Sequence, residues 1–159
     1  MKHKIIARRD IVRIVQTLKK KRRKIVFTNG TFDLLHAGHV MYLEKAKALG
    51  DILIVGMNTD KSVKTYKSPH RPIVPQSDRI RVLTALECVD YAVLFQEPTP
   101  LGLILAIKPD ILVKGADWKK ATIAGAKEVE SWGGKVVRMR LLPGHSTTNL
   151  IARVKSIPV

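Results

Sequence analysis

Apolar positions along the chain alternate between two periods. Ile11, Ile14, Val15 and Leu18 recur at helical spacing behind Asp10, a residue able to cap a helix start. Lys24-Ile25-Val26-Phe27-Thr28 is a short β-branched run, and the next helix carries Val40, Leu43, Ala46 and Leu49 to a stop at Gly50. Asp51 to Met57 encloses Ile52-Leu53-Ile54-Val55, an unbroken apolar run of the kind buried on both faces of a parallel sheet. Downstream, Pro75 opens a helix through Val82, Leu83 and Leu86, with Cys88 in the same pattern beside Val89. Tyr91 to Phe95 is a strand, and Pro100 begins a helix through Leu103, Leu105 and Ile107. Ile111-Leu112-Val113 and Val136 to Met139 are the last strands, separated by a helix over Ala124 to Trp132 that ends at Gly133-Gly134. Thr147 to Val154 is a final helix. The long stretch Asn58 to Val74 is polar and basic without periodicity, and is expected to be a loop.

Strands that alternate with helices predict an α/β fold: a doubly wound, mostly parallel, five-stranded Rossmann-like sheet with helices on both faces. With 159 residues, 45% apolar and 26% charged, one globular domain is expected. Its bounds are set at 24–159, behind a basic helical segment over 1–23. Neither a transmembrane run nor a secretory signal is evident, so a cytoplasmic protein is expected. Cys88 is the only cysteine, which excludes an internal disulfide, and it reads as core packing.

The formal net charge of +16 invites a nucleic-acid reading, so its distribution matters. Met1 to Lys24 holds eleven Lys or Arg against the single acid Asp10, and the rest of the chain is only moderately basic. The run Lys19 to Lys24 closes a helical pattern where cations suit the helix dipole. No aromatic residue interleaves it to stack bases, so an RNA-binding module stands as the distant alternative.

The chemistry concentrates in Thr28-Asn29-Gly30-Thr31-Phe32-Asp33-Leu34-Leu35-His36-Ala37-Gly38-His39, directly after the first strand. Nucleotides bind at that position in this architecture. Gly30 permits a tight turn, Gly38 leaves space for a phosphate, and the amides opening the next helix offer an anion site. His36 and His39, three apart, can project from one side of the first turn. Such a pair suits attack on an α-phosphorus, which needs positioning and stabilised oxygens but no protein nucleophile. Zinc is the competing reading of the pair, and the remaining cysteine and histidines show no matching ligand pair. Asp33 could orient a histidine or help hold a magnesium-bound triphosphate.

Other groups could complete such a site. Lys61, Lys64, Lys67 and Arg71 in the basic stretch can bring charge to phosphates, and Arg79 follows within an apolar helix. Lys114-Gly115-Ala116-Asp117 leaves the fourth strand toward the ligand crevice. Ser146-Thr147-Thr148 precedes the final helix, where hydroxyls either cap it or hold a phosphate.

Thr28 to His39 resembles the nucleotidyltransferase superfamily marked by a His-x-Gly-His signature. Nearly everything from Lys24 to Val154 is similar to the bacterial D-glycero-β-D-manno-heptose 1-phosphate adenylyltransferases, the nucleotidyltransferase part of ADP-heptose synthases. Asn58-Thr59-Asp60, Arg71-Pro72, Lys108 to Trp118, Ile123 to Val129 and Ser146 to Asn149 carry the likeness. It implies transfer of AMP from ATP to heptose 1-phosphate with magnesium, a step toward lipopolysaccharide, and relatives of this type often form homodimers. Carried over, His36, His39 and Arg79 would be catalytic. Thr28, Asn29, Gly30, Phe32, Gly38, Lys114, Gly115 and Ser146 to Thr148 would bind nucleotide beside Arg79. Asp33, Lys64, Lys67, Arg71 and Asp117 would hold the sugar phosphate, Asp33, Lys114 and Asp117 being also candidates near the metal. No sugar-kinase domain accompanies the segment, and the N-terminus is unusually basic. A cytidylyltransferase acting on a phosphorylated alcohol such as glycerol 3-phosphate keeps the same mechanism and is the nearer alternative.

Overall fold

A computed structural model describes residues 4–140, 142 and 144–158, so Met1 to His3 of the basic segment and Val159 of the domain lie outside the described residues. Five strands, β1 (Ile25–Gly30), β2 (Ile52–Asn58), β3 (Tyr91–Phe95), β4 (Ile111–Gly115) and β5 (Lys135–Met139), form one sheet in the order β3-β2-β1-β4-β5. Every pairing is parallel, from Ile25 beside Ile52 to Gly115 beside Met139.

Helices cover both faces because the central strands are apolar on both. Ile25 and Phe27 of β1 point into one cluster with Ile11 and Val15 of α1 (Arg8–Lys20), Leu103, Ile104 and Ile107 of α5 (Leu101–Ile107), and Ala126 and Val129 of α6 (Ala126–Ser131). Val26, between them in sequence, points into the other, with Tyr42, Leu43 and Ala46 of α2 (Ala37–Lys47) and Ile80 and Leu83 of α4 (Gln76–Ala85). An uninterrupted apolar run is thus what a central parallel strand requires. The basic N-terminal helix α1 is part of the core: Ile11 is fully buried, while Arg9, Arg13 and Lys20 remain exposed. Ahead of it, the Ile6 amide donates to Ala92 O and the Ala92 amide to Lys4 O, which covers the β3 edge.

At the N-terminal ends of the strands, carboxylates pin the register. The amides of Lys24, Ile25 and Leu53 donate to Asp51, Asp110 and Asp90 respectively, each at 2.7 Å.

Four local expectations are corrected. α1 begins at Arg8 behind Ala7, so Asp10 stands in its first turn and does not cap it. The stretch 58–74 contains a helix, α3 (Asp60–Tyr66), capped by Thr59, whose hydroxyl accepts from the Ser62 amide. It escaped the periodicity because Ser62 and Val63 are its only buried residues. Cys88 lies in the turn after α4 and packs half-buried on the second cluster. A 3-10 turn, Lys120–Thr122, precedes α6, which begins at Ala126 behind Gly125 at φ 84°, two residues later than expected. The last helix is α7 (Thr147–Lys155). No helix among the described residues is long and apolar enough to cross a membrane.

Candidate active site

In the order β3-β2-β1-β4-β5, the chain winds outward from β1 in one direction and from β4 in the other. The crevice at the C-terminal ends of β1 and β4 is therefore the topological switch point, where doubly wound sheets bind ligands. A cleft lies there in two lobes, of about 240 Å³ and about 440 Å³, sharing Asn29, Gly30, Thr31, Lys114 and Trp118.

The smaller lobe contains the two histidines. His36 is the N-cap of α2 and His39 sits in its first turn, with ring centroids 3.9 Å apart and planes 27° from parallel. Phe32, itself at φ 49°, backs His39 at 5.4 Å. Nδ1 of each histidine is buried without a hydrogen-bond partner, as is Oδ1 of Asn29. Burial first, then the neighbouring His36 and Lys67, holds His39 down to about 4; burial, then His145, lowers His36. Both rings are accordingly neutral at pH 7. Stacked imidazoles tolerate that state, whereas two imidazolium ions at this separation would repel strongly. Gly38 is required by close approach: a Cβ there would meet the His36 ring and the His145 Cβ at 3.0 Å. The α2 N-terminus carries no side-chain cap, so its amides are available to an anion in the lobe.

Lys114 leaves β4 into the shared wall. Its Nζ reaches Asn29 O at 3.5 Å and lies 5.0 Å from the Trp118 ring centroid. Burial lowers it to about 8 against the opposing pull of Asp117. An anionic ligand would restore its full charge.

The sequence candidates divide cleanly. Asn29, Gly30, Phe32, His36, Gly38, His39, Lys114, Gly115, Asp117, Ser146 and Thr147 line the smaller lobe, and Lys67 lines the larger one. Ser146 also caps α7, accepting from the Asn149 amide. The remainder sit behind or outside the walls. Thr28 is fully buried and bonded to the Tyr42 hydroxyl at 2.8 Å. Lys64 and Thr148 are exposed and line neither lobe, and Lys61 is likewise exposed on α3.

Asp33 and Arg79 change roles. The Asp33 carboxylate accepts from Arg71 Nε at 2.7 Å and from the Ile73 and Val74 amides, which ties down the segment after α3. Burial pushes its carboxyl up, but the amides of Val74 and Ile73 together with Arg71 outweigh this and hold it below the usual range. Arg71 is spent on that bond, with Nη2 buried and unpartnered. Arg79 is 1% exposed; it donates to the carbonyls of Val74, Thr31 and Asn58 and to the Asp60 carboxylate. It therefore knots the C-terminal ends of β1 and β2 to α3 from beneath, and does not reach the cleft.

Tyr42 in the smaller lobe, and Tyr66 and Thr122 in the larger, were not singled out from sequence, and Trp118 and His145 of the smaller lobe stood within quoted stretches without a role of their own. Trp118 offered a signal: a large aromatic in a polar segment three residues past a strand end.

A parallel sheet with an unpartnered histidine pair at its switch point defines a nucleotide-binding α/β enzyme. Residues 27–153 match the cytidylyltransferase-like family, and the chain belongs to that family of nucleotidyltransferases. Among curated relatives, the bifunctional protein HldE of Methylobacillus flagellatus is 52% identical over 142 residues, covering 89% of this chain and 29% of the relative. HldE of Acidiphilium cryptum is 49% identical over 96% of this chain and 32% of its own length. The chain thus spans about a third of these proteins. A solved lipopolysaccharide core biosynthesis protein from Thermoplasma volcanium is 30% identical with a TM-score of 0.66, covering 76% of this chain and 98% of that one. A pantoate-beta-alanine ligase from Francisella tularensis, at 17% identity and TM-score 0.59, shares the fold.

Proposed function

We propose that the chain is an adenylyltransferase that transfers AMP from ATP to D-glycero-β-D-manno-heptose 1-phosphate, giving ADP-heptose and pyrophosphate for lipopolysaccharide core synthesis. The observation that carries the reading is the neutral, stacked His36–His39 pair, whose buried nitrogens lack protein partners, at the uncapped start of α2. Buried polar atoms are ordinarily satisfied, so such a pair is built for a ligand.

In this reading the triphosphate occupies the smaller lobe, with its α-phosphate against the histidines and the α2 amides, and Ser146 and Thr147 beside it. The acceptor phosphate enters from the larger lobe near Lys67 and Lys114. Already anionic, it needs no base: its oxygen forms a bond to the α-phosphorus as the bond to the β-phosphate oxygen breaks and pyrophosphate leaves. His36 and His39 act as hydrogen-bond donors to the oxygens where charge gathers. Magnesium would travel with the triphosphate and neutralise its charge. The cleft fits that arrangement, since Asp117 is the only carboxylate among its described lining residues, and magnesium-nucleotide sites need few protein ligands.

Pyrophosphate release measured with ATP or CTP against heptose 1-phosphate and glycerol 3-phosphate tests the reading. Turnover is expected with ATP, magnesium and heptose 1-phosphate; turnover with CTP and glycerol 3-phosphate alone would replace it with the cytidylyltransferase alternative. His36→Ala and His39→Ala are each expected to lower kcat by about a hundredfold or more, the usual effect of losing one such donor. A loss of only a few-fold would remove the histidines from the chemistry.

A further inference from the structure

The transfer chemistry uses the histidines, the α2 amides and the lysines, and it leaves two aromatic residues of the larger lobe without a task. Trp118 and Tyr66 are 46% and 50% exposed. Both are fixed in place from the site side. Trp118 has the Lys114 ammonium 5.0 Å from its ring centroid, and the Tyr66 hydroxyl is bonded to Thr31 Oγ1 at 2.5 Å. Two half-exposed, oriented aromatic rings on a concave wall are a ready apolar platform. A cyclic sugar is the complementary solid: its ring presents a face of C–H groups and a rim of hydroxyls. Thr99 and Thr122, two hydroxyl-bearing residues, line the same lobe beside that rim. An open-chain phosphorylated alcohol has the hydroxyls but no rigid apolar face. Lys67 supplies the charge, close enough to His39 to depress its ionisation.

We propose that Trp118 and Tyr66 make the larger lobe selective for a cyclic sugar phosphate over an open-chain phosphorylated alcohol, the ring's C–H face packing on the aromatic walls while Lys67 holds the phosphate on the His39 side. This rests on the larger lobe being the acceptor site. The size of the lobe agrees: it has nearly twice the volume of the smaller one, more than a glycerol chain fills.

The test is steady-state kinetics of the whole chain with ATP, magnesium and either heptose 1-phosphate or glycerol 3-phosphate, for wild type, Trp118→Ala and Trp118→Phe. Trp118→Ala is expected to raise the KM for heptose 1-phosphate by about tenfold, several-fold more than it raises the KM for ATP, whose lobe shares this wall, with Trp118→Phe recovering most of the loss. Tryptophan fluorescence is expected to respond to heptose 1-phosphate alone in the wild type and to lose that response in Trp118→Phe, where Trp132 is the remaining tryptophan. A rise in the KM for ATP with the acceptor KM unchanged would make the ring a base platform and overturn the proposal. So would an unchanged acceptor KM in Trp118→Ala. Wild type that uses no sugar phosphate at all overturns the acceptor assignment first and this proposal with it, before any variant is measured. Thus failure of the function and failure of the platform are told apart.

Discussion

A histidine held neutral well below its ordinary value reports on its surroundings at every pH below that value. His39 titrates near 4 in the folded chain, against 6.5 when solvated, because burial and then His36 and Lys67 oppose its charge. Between those values the unfolded chain binds a proton that the folded chain refuses, so stability rises with pH across the window. The contribution is fully present above 6.5, falls as the pH drops, and is exhausted near 4. Urea unfolding midpoints are therefore expected to fall from pH 7 to pH 4.5, with a shallower slope in His39→Gln. Equal slopes would mean that His39 is solvated. The pair itself was legible in the sequence, since its spacing and the preceding strand locate it. Its stacking, its missing partners and the third ring at His145 were not, because they depend on how the segment before α7 returns to the α2 N-terminus.

Elements were legible where periodicity is strong. β1 to β4 and the helices α2, α4 and α5 fall within a few residues of the pattern, since each buries a continuous face. α3 was not, because its seven residues bury one serine and one valine and its cap at Thr59 stands without an apolar stripe behind it. The same region hid the roles of Asp33 and Arg79. A sequence shows that a charge stands in an apolar helix; it does not show whether the guanidinium meets a ligand or four protein oxygens. Arg79 meets the latter, holding the ends of β1, β2 and α3 in register under the cleft. Arg79→Lys keeps the charge and abandons most of those bonds, and it is expected to destabilise the chain by about 1–3 kcal/mol, the scale for buried carbonyls left without a donor. Thermal unfolding and turnover should both suffer. Undiminished stability with lost turnover would return Arg79 to the chemistry.

At the scale of the whole molecule, the basic N-terminus was read as a helical segment ahead of a domain starting at 24, while α1 covers one face of the sheet with Ile11 fully buried and Val15 2% exposed. Ile11→Ala is expected to destabilise the protein by about 2–5 kcal/mol in chemical denaturation. A chain beginning at Lys24 is expected to lose its cooperative transition, and a sharp transition in that truncated chain would place α1 outside the folding unit. The fold class was readable because alternation of strands and helices leaves few topologies. The position of the cleft followed from it, but not its two lobes. Those lobes meet between strands that are neighbours in space and distant in the chain: Lys114 reaches Asn29 across 85 positions, and Ser146 closes the far wall. A growing chain that has made only its first three strands already holds the histidines and three of the five strands of the sheet, yet it has no fourth strand to face them. The pocket is thus a property of the finished polypeptide, completed only when the last helix is in place, so a chain stalled during synthesis presents the signature without the vessel.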